Sequence, residues 1–564
     1  MLNYNLMTPW AQKLNENNPL PEYPRPYLVR DSYINLNGIW DYEITTVNEI
    51  PKTFSGKIVV PFPLESNLSG VRRDLKKNEF LCYNRKFELT SEFIKDVVMI
   101  NFGAVNQICD IYINGNYVMH HIGGYLPFSL NATQFIHEGE NDIVVIVEND
   151  PNLNYGVGKA GKSRGGMWYT KTSGIWQTVW VESYSITSIK NVIFYPHNDG
   201  LLKGKIRSKG TSFNIEISFN NKLLYKGNVG REFEVKLEEI HLWDLENPNL
   251  YDVVIYNDSD SVKTYFAFRE FKINNGKFEL NGNPIFLNGL LDQGYFSDGI
   301  YTPASYEAFE FDILKCKELG FNTLRKHIKV ELPYFYYLCD KYGMLVFQDF
   351  VNNGKYSFFI DTALPTIGLQ KKNDKIIHTN KLERKNFITG GELLIKYLSN
   401  HPSIIAYTIF NEGWGQFDSN NVYHHFKALY PNILFDSTSG WYRVADTDMD
   451  SYHWYFKNLD KLQKVDHPIF LSEFGALCYK VKDHAYGSDE VFGYTYFPTI
   501  PDTEQAFVDL YEQKIIPYKD KLIGTIYTQL SDVEEEDNGL LTYDRKVLKF
   551  NKETIQRVLK KLNN

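Results

Sequence analysis

The chain has 564 residues, enough for two to four domains with cores of their own. Hydrophobic residues make up 43% of it and charged residues 23%, an ordinary balance for a globular protein. With 60 Lys and Arg against 69 Asp and Glu, the net charge is −9; no basic excess exists to neutralise phosphates, so no nucleic acid is expected as a partner.

The N-terminus, Met1-Leu2-Asn3-Tyr4-Asn5-Leu6, lacks the basic segment and apolar core of a signal peptide. No block of about 18 apolar residues follows that would span a membrane, and no membrane association is expected. Cys82, Cys109, Cys316, Cys339 and Cys478 are scattered, odd in number and never paired as Cys-x-x-Cys. That pattern suits reduced thiols, and the expected compartment is the cytoplasm.

From about Asn35 to Ser183 short strand-like runs alternate with turns, among them Ile58-Val59-Val60, Val97 to Phe102 and Ile143 to Val147. Asn114-Gly115 between two such runs is a strong hairpin signal. With no long helical periodicity to interrupt it, the region 1–184 reads as a jelly-roll β-sandwich. A second alternating stretch, with Phe213 to Phe219 and Tyr251 to Tyr256, gives a small immunoglobulin-like β-sandwich over 185–272.

After Asn281-Gly282-Asn283-Pro284 strands alternate with helices, as in a parallel α/β fold. Expected strands are Ile285–Asn288, Asn322–Arg325, Met344–Phe347, Ile404–Phe410, Ile433–Asp436, Ser451–His453, Pro468–Leu471 and Ile523–Tyr527. Helices are expected near 305–319, 333–341 and 382–399. Eight such units over 273–564 make a (β/α)8 barrel.

Two glutamates then stand out. Glu412 in Phe410-Asn411-Glu412-Gly413-Trp414 ends the fourth strand, and Glu473 in Leu471-Ser472-Glu473-Phe474-Gly475 ends the seventh. Catalytic groups of parallel barrels sit at strand C-termini, and paired carboxylates carry out glycoside hydrolysis. A pKa-raised Glu412 would act as acid and then base, with Asn411 donating an amide hydrogen bond to a sugar hydroxyl. An ionised Glu473 would be the nucleophile. The other strand ends are polar as well: Asp292 and Gln293, Arg325 and His327, Gln348 and Asp349, Tyr452 and His453, and Gln529. Such a ring suits the binding of hydroxyls.

Three other motifs are read as structural. The acidic run Asp532 to Asp537 lacks the glycine and alternating ligands of a calcium loop and is expected to be solvated. His120-His121 and His424-His425 are adjacent rather than four apart, so no helical zinc pair forms and no metal is expected. Gly156-Val157-Gly158-Lys159-Ala160-Gly161-Lys162-Ser163 matches the spacing of a P-loop. It lies in an all-β region without the flanking strand and helix, and is expected to be a flexible glycine-rich loop.

Leu36-Asn37-Gly38-Ile39-Trp40, Ser173-Gly174-Ile175-Trp176, Leu287-Asn288-Gly289, Asn411-Glu412 and Ser472-Glu473-Phe474-Gly475 follow one another in an order and spacing that resembles glycoside hydrolase family 2 over nearly the whole chain. That group contains β-galactosidases, β-glucuronidases and β-mannosidases. The resemblance implies a sugar-binding jelly roll, an immunoglobulin-like domain and a catalytic barrel, Glu412 as acid/base, Glu473 as nucleophile, and retention. It puts Asn411, His327 and Tyr452 at substrate-contacting positions and is compatible with a homodimer. The chain lacks the Glu-x-His element that binds magnesium in large β-galactosidases, reading Gln348-Asp349-Phe350-Val351-Asn352. It also lacks the Asn-x-Lys element of β-glucuronidases, reading Glu536-Asp537-Asn538. The expectation is a cofactor-independent β-glycosidase on a terminal neutral sugar of an oligosaccharide or glycoside, galactose first. A β-glucuronide, β-mannoside or arabinoside is the alternative, and a non-catalytic carbohydrate-binding protein the rival from another class.

Overall fold

The computed structural model describes residues 5–150, 152–160, 164–364, 373–442, 446–455, 469–487 and 495–563. Its first unit is a sandwich of two antiparallel sheets. One holds Gly56–Val60, Gly38–Thr45, Phe80–Leu89, Gly139–Glu148, Ile108–Ile113 and Asn116–Ile122; the other holds Tyr33–Asn35, Val179–Tyr184, Val97–Phe102 and Phe128–Asn131. Alternation aims Ile143, Val145 and Val147 into the core between the sheets, with Ile100, Phe102 and Val181 opposite. The Asn114-Gly115 hairpin is present, both residues having positive φ (+48° and +75°) as a two-residue primed turn requires.

A smaller sandwich follows, with Asn191–Pro196, Leu201–Arg207 and Glu232–Lys236 facing Lys222–Val229, Phe213–Phe219, Tyr251–Asn257 and Asp260–Phe266. The segment before the first sandwich is laid along its neighbours: Leu6 and Leu20 pack in the core around the barrel, Leu28 in the second sandwich, and Val29 pairs with Lys263.

The barrel strands are β1 (Leu287–Asp292), β2 (Thr323–Lys326), β3 (Leu345–Asp349), β4 (Ile404–Asn411), β5 (Leu434–Ser439), β6 (Asp450–Trp454), β7 (Ile469–Gly475) and β8 (Leu522–Thr528). All are parallel, in the order β5-β4-β3-β2-β1-β8-β7-β6. The two end strands approach through side chains, the Ser439 and Ser451 hydroxyls lying 3.2 Å apart. Around them run α1 (Glu307–Leu319), α2 (Pro333–Tyr342), α3 (Lys381–Tyr397), α4 (Ser419–Leu429), α5 (Ile500–Asp509) and α6 (Lys552–Asn563). Asn380 caps α3 by accepting from the amides of Leu382 and Glu383.

Leu287, Phe347, Ala406, Phe470 and Ile526 fill the lower barrel, closed beneath by Phe271, Phe278 and Leu280 of a three-stranded ribbon, Phe271–Asn274, Lys277–Leu280 and Asn283–Ile285. That ribbon corrects the expected first strand: Ile285 ends the ribbon, and β1 begins two residues later. The jelly roll, immunoglobulin-like sandwich and eight-stranded barrel otherwise appear as expected. No helix among the described residues is long and apolar enough to cross a membrane.

Candidate active site

Glu412 leaves β4 with φ +52°, followed by Gly413 at +78°, a sharp turn whose amide is held by Ser439 O at 3.0 Å. Glu473 lies inside β7. Carboxylate oxygens of the two, with Nδ1 of His453, all lie within 4.8 Å of one another. That is well short of the gap of about 6.5–9.5 Å that leaves room for a water between the two carboxylates, and suits a pair of which one acts as nucleophile.

Arg325 organises the floor of the site. It is fully buried, and its guanidinium donates to Asp349 Oδ1 (2.9 Å), Ser472 O (2.9 Å), Glu473 Oε1 (3.1 Å) and Asn411 Oδ1 (2.8 Å). Asp349 also meets His327 Nδ1 at 2.6 Å. Burial pushes the Asp349 carboxyl up, but Arg325 and His327 outweigh it and hold the group below the usual carboxylate range. Desolvation lowers His327 despite that partner. Tyr455 donates to Glu473 Oε2 at 2.6 Å and lies 3.1 Å from the Thr528 hydroxyl.

His453 touches both carboxylates, Nδ1 being 2.6 Å from Glu412 Oε1 and 3.4 Å from Glu473 Oε2, while Nε2 is 2.8 Å from the Ser439 hydroxyl. Burial raises the Glu412 carboxyl, yet His453, with Lys159 and His327 beyond it, more than offsets this and keeps it below its ordinary value. These three groups have the spacing for a cation. Glu412 is, however, already hydrogen-bonded to the imidazole, and Glu473 is paired with the Arg325 guanidinium.

The sequence-derived residues therefore divide. Glu412, Glu473, Asn411, Arg325, Asp349, His327 and His453 form one network. Gln529, just past β8, belongs to a separate cluster, its amide donating to Glu536 (3.2 Å) and Asn538 (2.6 Å). Gln293 is buried, its Oε1 unbonded among the described residues. Asp292 is not in this network: it pairs with Lys326 Nζ at 2.6 Å, beside Glu331, on the side of β2 opposite Arg325. Gln348 is likewise structural, bonded to Tyr336 and the Lys329 carbonyl. Tyr452 falls at the alternate register from His453, in the hydrophobic layer around the barrel with Trp454. The tyrosine on the nucleophile is Tyr455, two residues beyond His453; strand periodicity of two, continued from Ser451 and His453, points to it.

Two expectations about loops are overturned. The acidic run is not solvated: Asp532, Glu534, Glu536 and Asp537 are buried. Asp532 pairs with Lys549 (2.5 Å), Glu534 and Glu535 with Arg164 (3.1 and 2.5 Å), and Asp537 with Lys480 (3.7 Å), while Glu536 accepts from Tyr169 (2.6 Å). The glycine-rich segment, as far as Ala160, is not loose either. Residues 152–160 are bonded across the barrel mouth, and 161–163 lie outside the described residues. The adjacent histidines have separate partners: His120 with Asp110, His121 stacked on Phe128, His424 with Asp446 and His425 with Glu392.

Family models match in three consecutive pieces: glycosyl hydrolases family 2, sugar binding domain, over 36–183; glycosyl hydrolases family 2 over 193–269; and glycosyl hydrolases family 2, TIM barrel domain, over 271–546. Among curated relatives, a β-galactosidase of Thermoanaerobacterium thermosulfurigenes is 27% identical, the match covering 48% of this chain and 41% of the relative. A putative β-glucuronidase of Formosa agariphila is 26% identical over 58% of this chain and 39% of the relative. The chain thus spans less than half the length of these relatives. Among solved structures, a β-D-glucuronidase of Dictyoglomus thermophilum superposes with a TM-score of 0.75 at 18% identity, covering 95% of this chain and 98% of that one. A Ruminococcus gnavus β-glucuronidase gives 0.73 at 18% identity, covering 96% and 100%. These likenesses show the fold.

Proposed function

Because the chain belongs to glycosyl hydrolase family 2, we propose that it is a retaining exo-β-glycosidase acting on a terminal neutral sugar, with β-galactosides as its substrates. The observation that carries this reading is the pair Glu412 and Glu473, their oxygens within 4.8 Å, one just past β4 and the other near the end of β7. Glu473, fixed by Arg325 and Tyr455, attacks the anomeric carbon as the glycosidic bond breaks. Glu412 gives its proton to the departing oxygen and then takes one from the water that releases the sugar from Glu473, restoring both carboxyls. Asn411, whose side-chain oxygen is engaged by Arg325, is oriented with its amide group left for a sugar hydroxyl. A neutral sugar is favoured locally by Glu536, the acidic group that Gln529 and Tyr169 hold at the β8 edge. The rest of the acidic loop carries no such argument, since its charges are matched by lysines and an arginine.

The test is a panel of aryl β-glycosides, galactoside, glucoside, mannoside, glucuronide and arabinoside, with the folded full chain. Hydrolysis of the galactoside first among them is expected, and silence on all of them overturns the enzymatic reading. Glu473→Gln should abolish turnover. Glu412→Gln should lose most activity on a poor leaving group and recover it on an activated one, because the latter needs no proton to depart. Equal losses on both refute the acid role.

A further inference from the structure

Residues 152–160 and 164–170 of the first sandwich, on either side of 161–163, form a strap fastened to the barrel mouth at two places. On one side Gly354 N bonds Leu153 O (2.8 Å) and Val157 N bonds Asn352 O (3.0 Å), just past β3; Asn386 and Asn380 of the α3 region hold Asn154 (3.0 and 2.8 Å). On the other, Tyr169 bonds Glu536, Thr170 N bonds Glu534 (2.9 Å) and Arg164 pairs with Glu534 and Glu535, past β8. Between these fastenings Lys159 O accepts from Tyr169 N at 3.1 Å. Its ammonium lies 6.0 Å from the ring centre of Trp168, which packs edge-on at 4.9 Å against Trp414, two residues past Glu412.

Lys159 is only 9% exposed, and among the described residues its ammonium has no hydrogen bond or ion pair. Its charge acts on Glu412 after β4, His327 after β2 and Glu536 after β8. With the bonds past β3 and β8 on either side and the Trp168–Trp414 contact past β4 beside it, this side chain lies at the C-terminal end of the barrel. The stem is covered and the ammonium is left to solvent at the mouth, with three donors that no described group takes up, so a ligand entering there that supplies an acceptor oxygen meets a donor already in place.

We propose that Lys159 is a substrate-binding residue, its ammonium donating to a hydroxyl oxygen of the sugar held between Glu412 and Glu536, so that the sugar pocket is complete only with the first domain's strap seated on the barrel. This rests on the glycosidase reading above. A cation that served only to balance Glu412 and Glu536 would alter the pH profile equally for every sugar. A donor to one hydroxyl couples to that hydroxyl alone.

The experiment compares the full chain with Lys159→Met on the best aryl glycoside of the panel and on its monodeoxy analogues. Loss of a charged hydrogen bond is expected to lower kcat/KM about 10- to 100-fold on the parent sugar. On the one analogue lacking the contacted hydroxyl the two proteins should differ by less than about 3-fold, by the logic of a double-mutant cycle. The same loss on every analogue overturns the proposal. So does wild-type kcat/KM in the variant, or a loss confined to the glucuronide, which would make Lys159 a carboxylate reader. If Lys159→Met does not fold, Lys159→Arg, which keeps the charge and moves the donors, is held to the same pattern. If the wild-type chain hydrolyses no glycoside, the functional reading has failed, and Lys159 is judged by calorimetric titration of galactose, glucose and glucuronic acid. Neutral-sugar binding weakened at least 10-fold in the variant sustains it; binding that is unchanged, absent from both, or lost only for glucuronic acid overturns it.

Discussion

Four oxygens accept from the guanidinium of Arg325, and two of them are side-chain oxygens at or beside the reacting carboxylates, Asn411 Oδ1 and Glu473 Oε1. A planar fork with several donors in fixed directions sets both at once, which a lysine at this position could not do. His453 is the more unusual neighbour, because it bonds the group meant to donate a proton and lowers its pKa. In the free protein the acid-competent form of Glu412 therefore declines above a pH lower than that of an ordinary glutamate in the same burial. With a poor leaving group, the basic limb of kcat/KM reports that ionisation, as a property of the coupled pair. Removing the imidazole takes away both the charge and the hydrogen bond while burial remains, so the Glu412 carboxyl rises. His453→Asn is accordingly expected to move the basic limb to higher pH. A pH profile measured on a poor leaving group checks this, and an unmoved limb would separate His453 from the acid.

At the scale of elements, the strap depends on one backbone position. Gly158 has φ +55°, and a Cβ there would meet the Tyr125 hydroxyl at 2.5 Å and Ile328 O at 3.0 Å. Gly158→Val adds a β-branched side chain to a left-handed conformation with no space for it, at a cost of about 1–3 kcal/mol or more. The barrel and sandwich cores do not include this position, so the loss should fall on the strap: kcat/KM lowered at least about 10-fold with an unchanged far-ultraviolet circular dichroism spectrum. Kinetics like the wild type's would mean that the strap's seat tolerates displacement. The strap also marks what the sequence could not convey. The barrel strands were legible because a strand buried on both faces is an uninterrupted apolar run, as Ile404 to Phe410 is, and the two glutamates were legible as the carboxylates ending such runs. β1 was misplaced because Ile285 continues the apolar pattern while belonging to the ribbon beneath. The burial of Asp532 to Asp537 was invisible because its countercharges, Arg164, Lys480 and Lys549, come from distant parts of the chain. Lys159 went unnoticed as a site residue for the same reason: nothing local says that a loop of one sandwich lies across another domain's mouth.

Across the whole molecule, buried carboxyls give stability a definite slope with pH. Burial pushes Glu65 in the jelly roll up to about 7 against its Ser173 hydrogen bond, and its Oε1 has no partner among the described residues. Burial likewise lifts Asp436 on β5 to about 6, and burial together with Asp532 lifts Asp537 to about 7. Each keeps its proton in the folded state at a pH where the unfolded chain has lost it. Folded protein then binds more protons than unfolded, and stability falls as pH rises through the interval between the two pKa values. Two histidines oppose this: desolvation lowers His121 to about 4 and lowers His327 as well, so unfolding takes up protons there. Their contribution ends near the ordinary histidine pKa of about 6.5. Glu412 and Asp349, held low, act only in acid. Above about pH 6.5 the histidines no longer oppose the raised carboxyls, and Lys329, which burial lowers to about 8, opposes them only as pH 8 is approached, so the apparent Tm is expected to fall from pH 6.5 to 7.5. Glu65 isolates the effect, since it has no ion pair to lose. Glu65→Gln keeps an acceptor for the Ser173 amide and removes the ionisation, so it should stabilise by about 1–3 kcal/mol at pH 8 and by no more than about 0.4 kcal/mol at pH 4.5, where the folded state keeps the proton and the unfolded one still holds about half of it. Thermal unfolding of the full chain and the variant at these two values measures the difference, and a stabilisation equal at both would assign it to packing instead of charge.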